Sequence, residues 1–362
     1  MSALCRHVGS CGGCALQEMD EAAYRARKRD DVVRALDRHG VVAEVAPLVA
    51  VTPGTRRRAV FKLLKRNGAV ELGFHAHRTH DIVDMQECRL LTPALFALVA
   101  RLRAAMNGML ANGQHGEARV TQADNGFDIA LRASAGLTPA LTTALAAAAP
   151  ALGAIRITWN GTLAFENAAP FVHFGKAVVK LPPDSFLQPS REGEAALRGL
   201  VLAAVAGAKS VADLFSGCGT FSLALAERAR VHAVEREQAM LDALAEAAKA
   251  TQGLKPVTTA RRDLFKLPLT VAELNRFDAV VLDPPRAGAE AQARLLARAT
   301  VPRLAYVSCD ADSFARDARL LIDGGYRIGG VTPVDQFLWS SHIELVAAFE
   351  RAVRGASFQQ AR

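Results

Sequence analysis

The chain has 362 residues and 51% apolar side chains, enough for about two domains and a sizeable core, which excludes a disordered chain. It holds no run of about 18 uninterrupted apolar residues, and its opening stretch, 1–7, has no apolar signal core. No membrane span is therefore expected, and a cytoplasmic location is. The net charge is +8; residues 1–180 carry 22 Lys and Arg against 15 Asp and Glu, whereas 181–362 carry 22 against 21. A basic front half joined to a near-neutral back half suits a polyanionic partner, with nucleic acid first; ordinary solvated surface is the competing account.

Taken in chain order, Cys5-x5-Cys11-x2-Cys14 lies in a loop bearing Gly9, Gly12 and Gly13. Glycines let the backbone curl so that thiols converge. Cys88 is the fourth front-half cysteine. In a chain expected in the cytoplasm such a set points to metal before disulfides. Zinc and an iron–sulfur cluster both accept four thiolates, and spacing does not choose between them. Residues 19–39 read as a charged, solvated helix. After the Pro53-Gly54 turn, a basic strand containing Arg56 and Arg58 and a return strand at 69–74 flank Asn67-Gly68, predicting a hairpin. Its cations could face RNA phosphates. His75, His77 and His80 follow, and in a basic hairpin they are read as surface or RNA-facing groups before metal ligands. Helices at 92–112 and 140–149 and strands at 118–120, 126–133, 155–160 and 163–166 describe an α+β module with much antiparallel sheet. Leu181-Pro182-Pro183-Asp184 marks the expected boundary, giving domains 1–180 and 181–362. No internal repeat is seen.

In the back half, Phe186-Leu187-Gln188 precedes a helix at 192–206. A strand at 211–215 then runs into Ser216-Gly217-Cys218-Gly219 and a helix ending near 229. Strand, glycine turn and helix form a nucleotide-cofactor arrangement. Ser222 stands where a dinucleotide fingerprint has its third glycine, which lowers a hydride-transfer reading. Asp213 and Phe215 border the turn, the strand at 231–234 ends in Glu235, and Asp263 follows later. An acid at Glu235 can bind ribose hydroxyls, and the three acids in order fit S-adenosylmethionine (SAM) better than NAD. A buried strand at 277–282 ends in Asp283-Pro284-Pro285-Arg286, where two prolines fix the backbone. Another ends in Ser308-Cys309-Asp310. In an open α/β sheet, chemistry gathers at such carboxyl ends. The Cys309 thiol is a candidate nucleophile; its competing role is that of a small buried hydrophobe. A helix at 312–323 and a last strand at 343–349 complete the chain, with Glu344 a candidate proton acceptor or a strand-end surface acid.

These motifs in this order resemble the SAM-dependent RNA uracil C5-methyltransferases, which make 5-methyluridine in bacterial 23S rRNA and tRNA. The resemblance rests on Phe186-Leu187-Gln188, 213–221, Asp283-Pro284-Pro285-Arg286, Ser308-Cys309 and His342-Ile343-Glu344. It implies a C-terminal class I (Rossmann-like) α/β methyltransferase domain behind an N-terminal α+β, cysteine-bearing RNA-binding module. It implies Cys309 as nucleophile at uracil C6, Glu344 as acceptor of the C5 proton, and SAM held by Gln188, Asp213, Phe215, Gly217, Gly219, Glu235, Asp263 and Asp283. Phe186, Arg56 and Arg58 become RNA contacts. Cys5, Cys11, Cys14 and Cys88 resemble the [4Fe–4S] ligands of the rRNA branch. Ser190, Ser216, Cys218, Leu338 and Ser340 depart from the family pattern. The lack of an extra RNA-binding barrel favours 23S rRNA over tRNA, and a monomer is expected. The competing readings are a cytosine C5-methyltransferase, an amino-directed methyltransferase, and a non-catalytic metal-binding RNA adaptor.

Overall fold

The computed structural model describes residues 4–351; residues 1–3, part of the opening stretch, lie outside it. The chain forms two compact units, each built from separated segments. Of the described residues, the first takes 4–24, Ala50–Ala195 and Asp335–His342; the second takes Arg25–Val49, Ala196–Val334 and 343–351. This corrects the single boundary expected near 181. The prolines at 182 and 183 do make a turn, but the first unit continues to Ala195 and takes back 335–342 near the end of the chain. Local composition carries no sign of such a return.

Among the described residues the first unit contains a seven-stranded sheet. Its spatial order is Ile82–Asp84, Ala69–His75, Arg58–Arg66, His115–Gln122, Phe127–Ala133, Ala154–Trp159 and Thr162–Glu166. The Asn67-Gly68 hairpin is present, with Asn67 and Gly68 both at positive φ as this turn requires. Phe127–Ala133 and Ala154–Trp159 pair in parallel across the helix Pro139–Leu152; the other neighbours are antiparallel. That helix and Pro93–Met109 each begin with a Thr-Pro pair. The hydroxyls of Thr92 and Thr138 accept the amides of Leu95 and Leu141 at 3.1 and 3.2 Å, and proline fills the position where no amide is needed. Phe61, Leu63, Leu72, Leu98, Leu102, Val120, Ile129 and Ile157 belong to one buried core.

The second unit contains an eight-stranded sheet among the described residues. Its order is Val49–Ala50, Tyr326–Asp335, Glu344–Arg351, Arg303–Ser308, Ala279–Leu282, Ser210–Leu214, Arg230–Glu235 and Val257–Arg261. The five strands from Arg303–Ser308 to Val257–Arg261 are parallel, and Glu344–Arg351 and Tyr326–Asp335 return antiparallel. The near-continuous apolar runs Ala279–Leu282 and Leu304–Val307 are fully buried, as parallel strands covered on both faces require. The strand order reverses between Ser210–Leu214 and Ala279–Leu282, which opens a crevice at their carboxyl ends.

One buried ion pair anchors the first unit's segment 187–190. Arg57 and Glu194 are 3% and 4% exposed and meet at 2.6 Å, while Arg57 Nε donates to the Gln188 carbonyl at 3.1 Å. Glu194→Ala leaves that guanidinium buried without its carboxylate. It should lower stability by roughly 3–5 kcal/mol, measured by denaturant unfolding followed by fluorescence.

Candidate active site

The glycine loop of the second unit starts at Phe215, a non-glycine residue at φ 64°. Gly217 and Gly219 follow at φ 53° and 96°. At Gly219 a Cβ would lie 2.9 Å from Leu244, so both backbone conformation and close packing demand glycine there. Asp213, wholly buried, accepts the Ser222 hydroxyl on Oδ2 at 2.5 Å. Its Oδ1 and the Ser216 hydroxyl are buried without a hydrogen-bond partner among the described residues. Burial pushes the Asp213 carboxyl up to about 7; the Ser222 bonds oppose this, and the charge of Glu235 adds to it. Glu235 ends the adjacent parallel strand and accepts the Gly217 amide at 3.1 Å, which ties the acid to the loop. Asp263 accepts the Phe265 amide at 3.1 Å. Phe265, 47% exposed, has its ring 5.5 Å from that of Phe215.

Strand registers build the second half of this crevice. Leu282 pairs with Tyr306, so Asp283 is the next residue along its strand, and Ser308 pairs with Leu345, so Cys309 and Glu344 lie one step beyond that pair. The Cys309 turn is held on both sides. The Ser308 hydroxyl donates to the Asp310 carbonyl at 2.9 Å, and Asp310 caps Ala311–Asp323 by accepting the Ser313 amide at 2.9 Å. Cys309 is half-buried and Glu344 is buried. Burial raises the Cys309 thiol to about 11; Glu344 and then Asp283 add to the rise, and Arg286 opposes it. Asp283 is itself pushed up to about 7 by burial and by Asp213. The free protein thus holds Cys309 as a thiol, not as the ready thiolate that a lone catalytic cysteine invites one to expect.

In the first unit, Gln188 is buried, and its Oε1 accepts Gln336 Nε2 at 2.7 Å. The Arg58 guanidinium lies 5.2 Å over the ring of Phe186, which is 55% exposed, and the Arg56 guanidinium lies 5.7 Å over Phe337. Burial, then Arg119 and Arg56, press the Arg58 pKa down to about 10. Cys5, Cys11, Cys14 and Cys88 line one cavity with Phe74 and Met85. Gly12 donates to the His75 carbonyl at 2.9 Å and pins the cysteine loop to the sheet. Burial and the neighbouring sulfurs Cys88, Cys11 and Cys5 push Cys14 up to about 12. Yet among the described residues no group of three or more His, Cys, Asp or Glu is placed to hold a metal ion. The sulfurs share a cavity without forming a ligand set.

Two residues of the second unit were missed by sequence reasoning. Phe265 stands two positions after Asp263, and its only signal was an exposed aromatic in a charged loop. Asp317, within the helix expected at 312–323, was not singled out, and it is fully buried.

A parallel sheet with a glycine turn, an acid on the next strand and unsatisfied polar atoms at the crevice defines a class I SAM-dependent methyltransferase. The comparisons with known proteins agree. A family model described as tRNA (uracil-5-)-methyltransferase matches residues 172–352. An RNA methyltransferase of Brucella suis is 45% identical over 348 residues, covering 96% of this chain and 84% of that protein. The 23S rRNA (uracil(1939)-C(5))-methyltransferase RlmD of Halomonas elongata is 35% identical over 391 residues, covering 98% and 78%. The crystal structure of Pyrococcus abyssi tRNA (uracil-54, C5)-methyltransferase with S-adenosyl-L-homocysteine shares the fold at TM-score 0.74 and 23% identity, over 94% of this chain and 84% of that one. The chain belongs to the RNA uracil C5-methyltransferase family and is a SAM-dependent enzyme acting on RNA.

The residues present fit SAM. Asp213 Oδ1 and the Ser216 hydroxyl lack partners among the described residues, Glu235 ends the next strand with a carboxylate, the chemistry that suits ribose hydroxyls, and Phe215 with Phe265 offers aromatic surface. Because the cofactor is cationic at its sulfonium and ammonium, it favours ionised Asp213. Binding should therefore tighten as pH rises through about 7. Asp213→Asn should weaken binding and flatten that dependence, as read by calorimetry. In the free protein, alkylation of the Cys309 peptide by iodoacetamide should rise with pH through about 11. Glu344→Gln should move that midpoint down, since Glu344 is the largest charge disfavouring the thiolate; mass spectrometry of the peptide reads both.

Proposed function

We propose that this enzyme methylates C5 of a uridine in 23S rRNA through a transient bond from Cys309 to uracil C6. The observation that carries the reading is the meeting of Cys309, Asp283 and Glu344 at adjoining strand ends. Uracil C5 is a weak nucleophile. Sulfur addition at C6 turns the ring into an enolate with electron density at C5. Bound SAM supplies an electrophilic methyl group. Cys309 loses its thiol proton as the S–C6 bond forms, and Asp283, with its raised proton affinity, is suited to accept it. After C5 has taken the methyl, Glu344 removes the C5 proton, the ring double bond returns and the C6–S bond breaks. Asp283 returns its proton to the departing sulfur, so that the thiol and the C5–C6 double bond are both restored. The thiol becomes reactive only in the company of the base, which must leave its stack to reach such a site.

The Halomonas relative, similar over 98% of this chain, supports rRNA over tRNA as the substrate. The Pyrococcus likeness, at 23% identity, bears on the fold alone. The Arg58–Phe186 stack and the crowding of Arg58 by Arg119 and Arg56 favour an anionic partner. Cys309→Ala should abolish turnover and leave SAM binding intact; an active variant would end the covalent scheme. Mapping 5-methyluridine in rRNA and tRNA from a deletion strain tests the substrate: loss from tRNA alone would favour the tRNA reading.

The four-cysteine cavity is assigned a [4Fe–4S] cluster as a second part of this proposal. Four thiols from two distant segments share one cavity, and Arg56 lies close enough to act on Cys88 and Cys14, a setting suited to an anionic four-thiolate group. Loading would have to draw the sulfurs into a ligand set. Since methyl transfer moves no net electrons, the cluster would shape the loop or the RNA surface. Anaerobic reconstitution should give about four iron and four sulfide per chain, and Cys14→Ser should lower both. One zinc, or no metal, would overturn the assignment.

A further inference from the structure

We propose that Asp317, together with Tyr306, is a positioning residue that fixes the Asp283-Pro284-Pro285-Arg286 loop against the strand and helix flanking Cys309. The inference rests on the reading that Asp283 and Cys309 serve the chemistry. Both residues are fully buried. Asp317 Oδ2 accepts the Ala289 amide at 2.6 Å and the Tyr306 hydroxyl at 2.6 Å, and the Ala289 amide also reaches the Tyr306 oxygen at 3.1 Å. Asp317 Oδ1 receives Arg316, whose other nitrogen donates to the Ala287 carbonyl at 2.9 Å. Gly288, at φ 75°, has no room for a side chain: a Cβ would lie 2.7 Å from Asp317 Oδ2 and 2.7 Å from Arg316. The end of the loop is thus held by its amide, its carbonyl and its glycine.

The anchor points are where they would have to be. Tyr306 is three residues before Cys309 and pairs in the sheet with Leu282, the neighbour of Asp283. Asp317 lies on Ala311–Asp323, the helix that begins two residues after Cys309. The prolines restrict the start of the loop through φ, and the carboxylate restricts its end through hydrogen bonds. A carboxylate is needed because its acceptor oxygens face an amide, a hydroxyl and a guanidinium. An amide in its place would turn an NH2 group toward one of those donors. Functional side chains on a loop act at the right place only when such support is rigid, and small misplacements cost large factors in rate.

The test uses Asp317→Asn and Tyr306→Phe in the full-length enzyme, assayed with SAM and 23S rRNA from the deletion strain. Each should lower kcat by about tenfold, the scale of one lost buried hydrogen bond to a charged group. SAM affinity by calorimetry should fall by a smaller factor than kcat, since of the expected cofactor contacts only Asp283 lies on this loop. Hydrogen exchange should quicken in the peptide 283–289 and remain unchanged in the strand Ser210–Leu214. Tyr306→Phe keeps the ring and its edge contact with Phe314, so it reports on the anchor even if Asp317→Asn folds poorly. Unchanged kcat in Tyr306→Phe, or exchange that quickens throughout the unit, would overturn the proposal. Loss of turnover in Cys309→Ala alongside normal turnover in both anchor variants would sink this inference alone; turnover in Cys309→Ala would sink the covalent reading instead.

Discussion

The chemistry proposed for this molecule depends on the register between three neighbouring strands. Leu282 faces Tyr306, and Ser308 faces Leu345. One step past each pair stand Asp283, Cys309 and Glu344. A slip of one residue in any strand would turn its side chains to the opposite face of the sheet and separate the three. The slip is opposed because Ala279–Leu282, Leu304–Val307 and Leu345–Ala347 are apolar and buried, so that every alternative register misplaces several side chains at once. The core and the site are thus specified by the same contacts.

Bringing three ionisable groups together in a partly dry place has an electrostatic consequence. Burial disfavours charge on Cys309 and on Asp283; Glu344 and Asp283 add to the rise at the thiol, and Asp213 adds to the rise at Asp283. The result is a thiol near 11 and an aspartate near 7, a protonated and quiet state in the free protein. Such a thiol resists oxidation and stray alkylation, since the thiolate is the reactive form. In the proposed covalent scheme its reactivity belongs to the complex with the base, where the developing charge spreads into the pyrimidine ring. A cysteine that was reactive before binding would need a cationic or dipolar environment, and Arg286 is too weak a counterweight here to supply one.

Much of the second unit was legible in the sequence because its signals are local. The glycine turn and the proline pair each report a backbone requirement that few other residues meet, and the acid ending the next strand reports a carboxylate acceptor at the loop. Contacts between distant segments left weaker traces. The strand Tyr326–Asp335 was not recognised, since Gly329, Gly330 and Pro333 break its alternation and a bulge shifts its register between Ile328 and Val331. The return of 335–342 to the first unit leaves no compositional mark. The four cysteines were read as converging, and they do share a cavity; the kind of group such a set would suit was not legible, because thiol spacing is the same language for zinc and for iron.

Buried polar atoms in the second unit fall into two kinds, and the difference separates support from binding. Asp317 has every oxygen engaged by protein donors, and so it belongs to the scaffold. Asp213, equally buried, has one oxygen satisfied by Ser222 and one left without a partner, with the Ser216 hydroxyl in the same condition. A buried acceptor with no donor costs about 1–3 kcal/mol in the free protein. Evolution would remove that cost by a single substitution unless something repaid it on binding. Both orphaned atoms lie at the glycine turn, where the strand ends and the helix begins, and the acid of the neighbouring strand reaches the same turn through the Gly217 amide. On the reading proposed above, the unsatisfied atoms mark the cofactor side of the crevice, while the fully satisfied carboxylate of Asp317 belongs to the frame of its other wall.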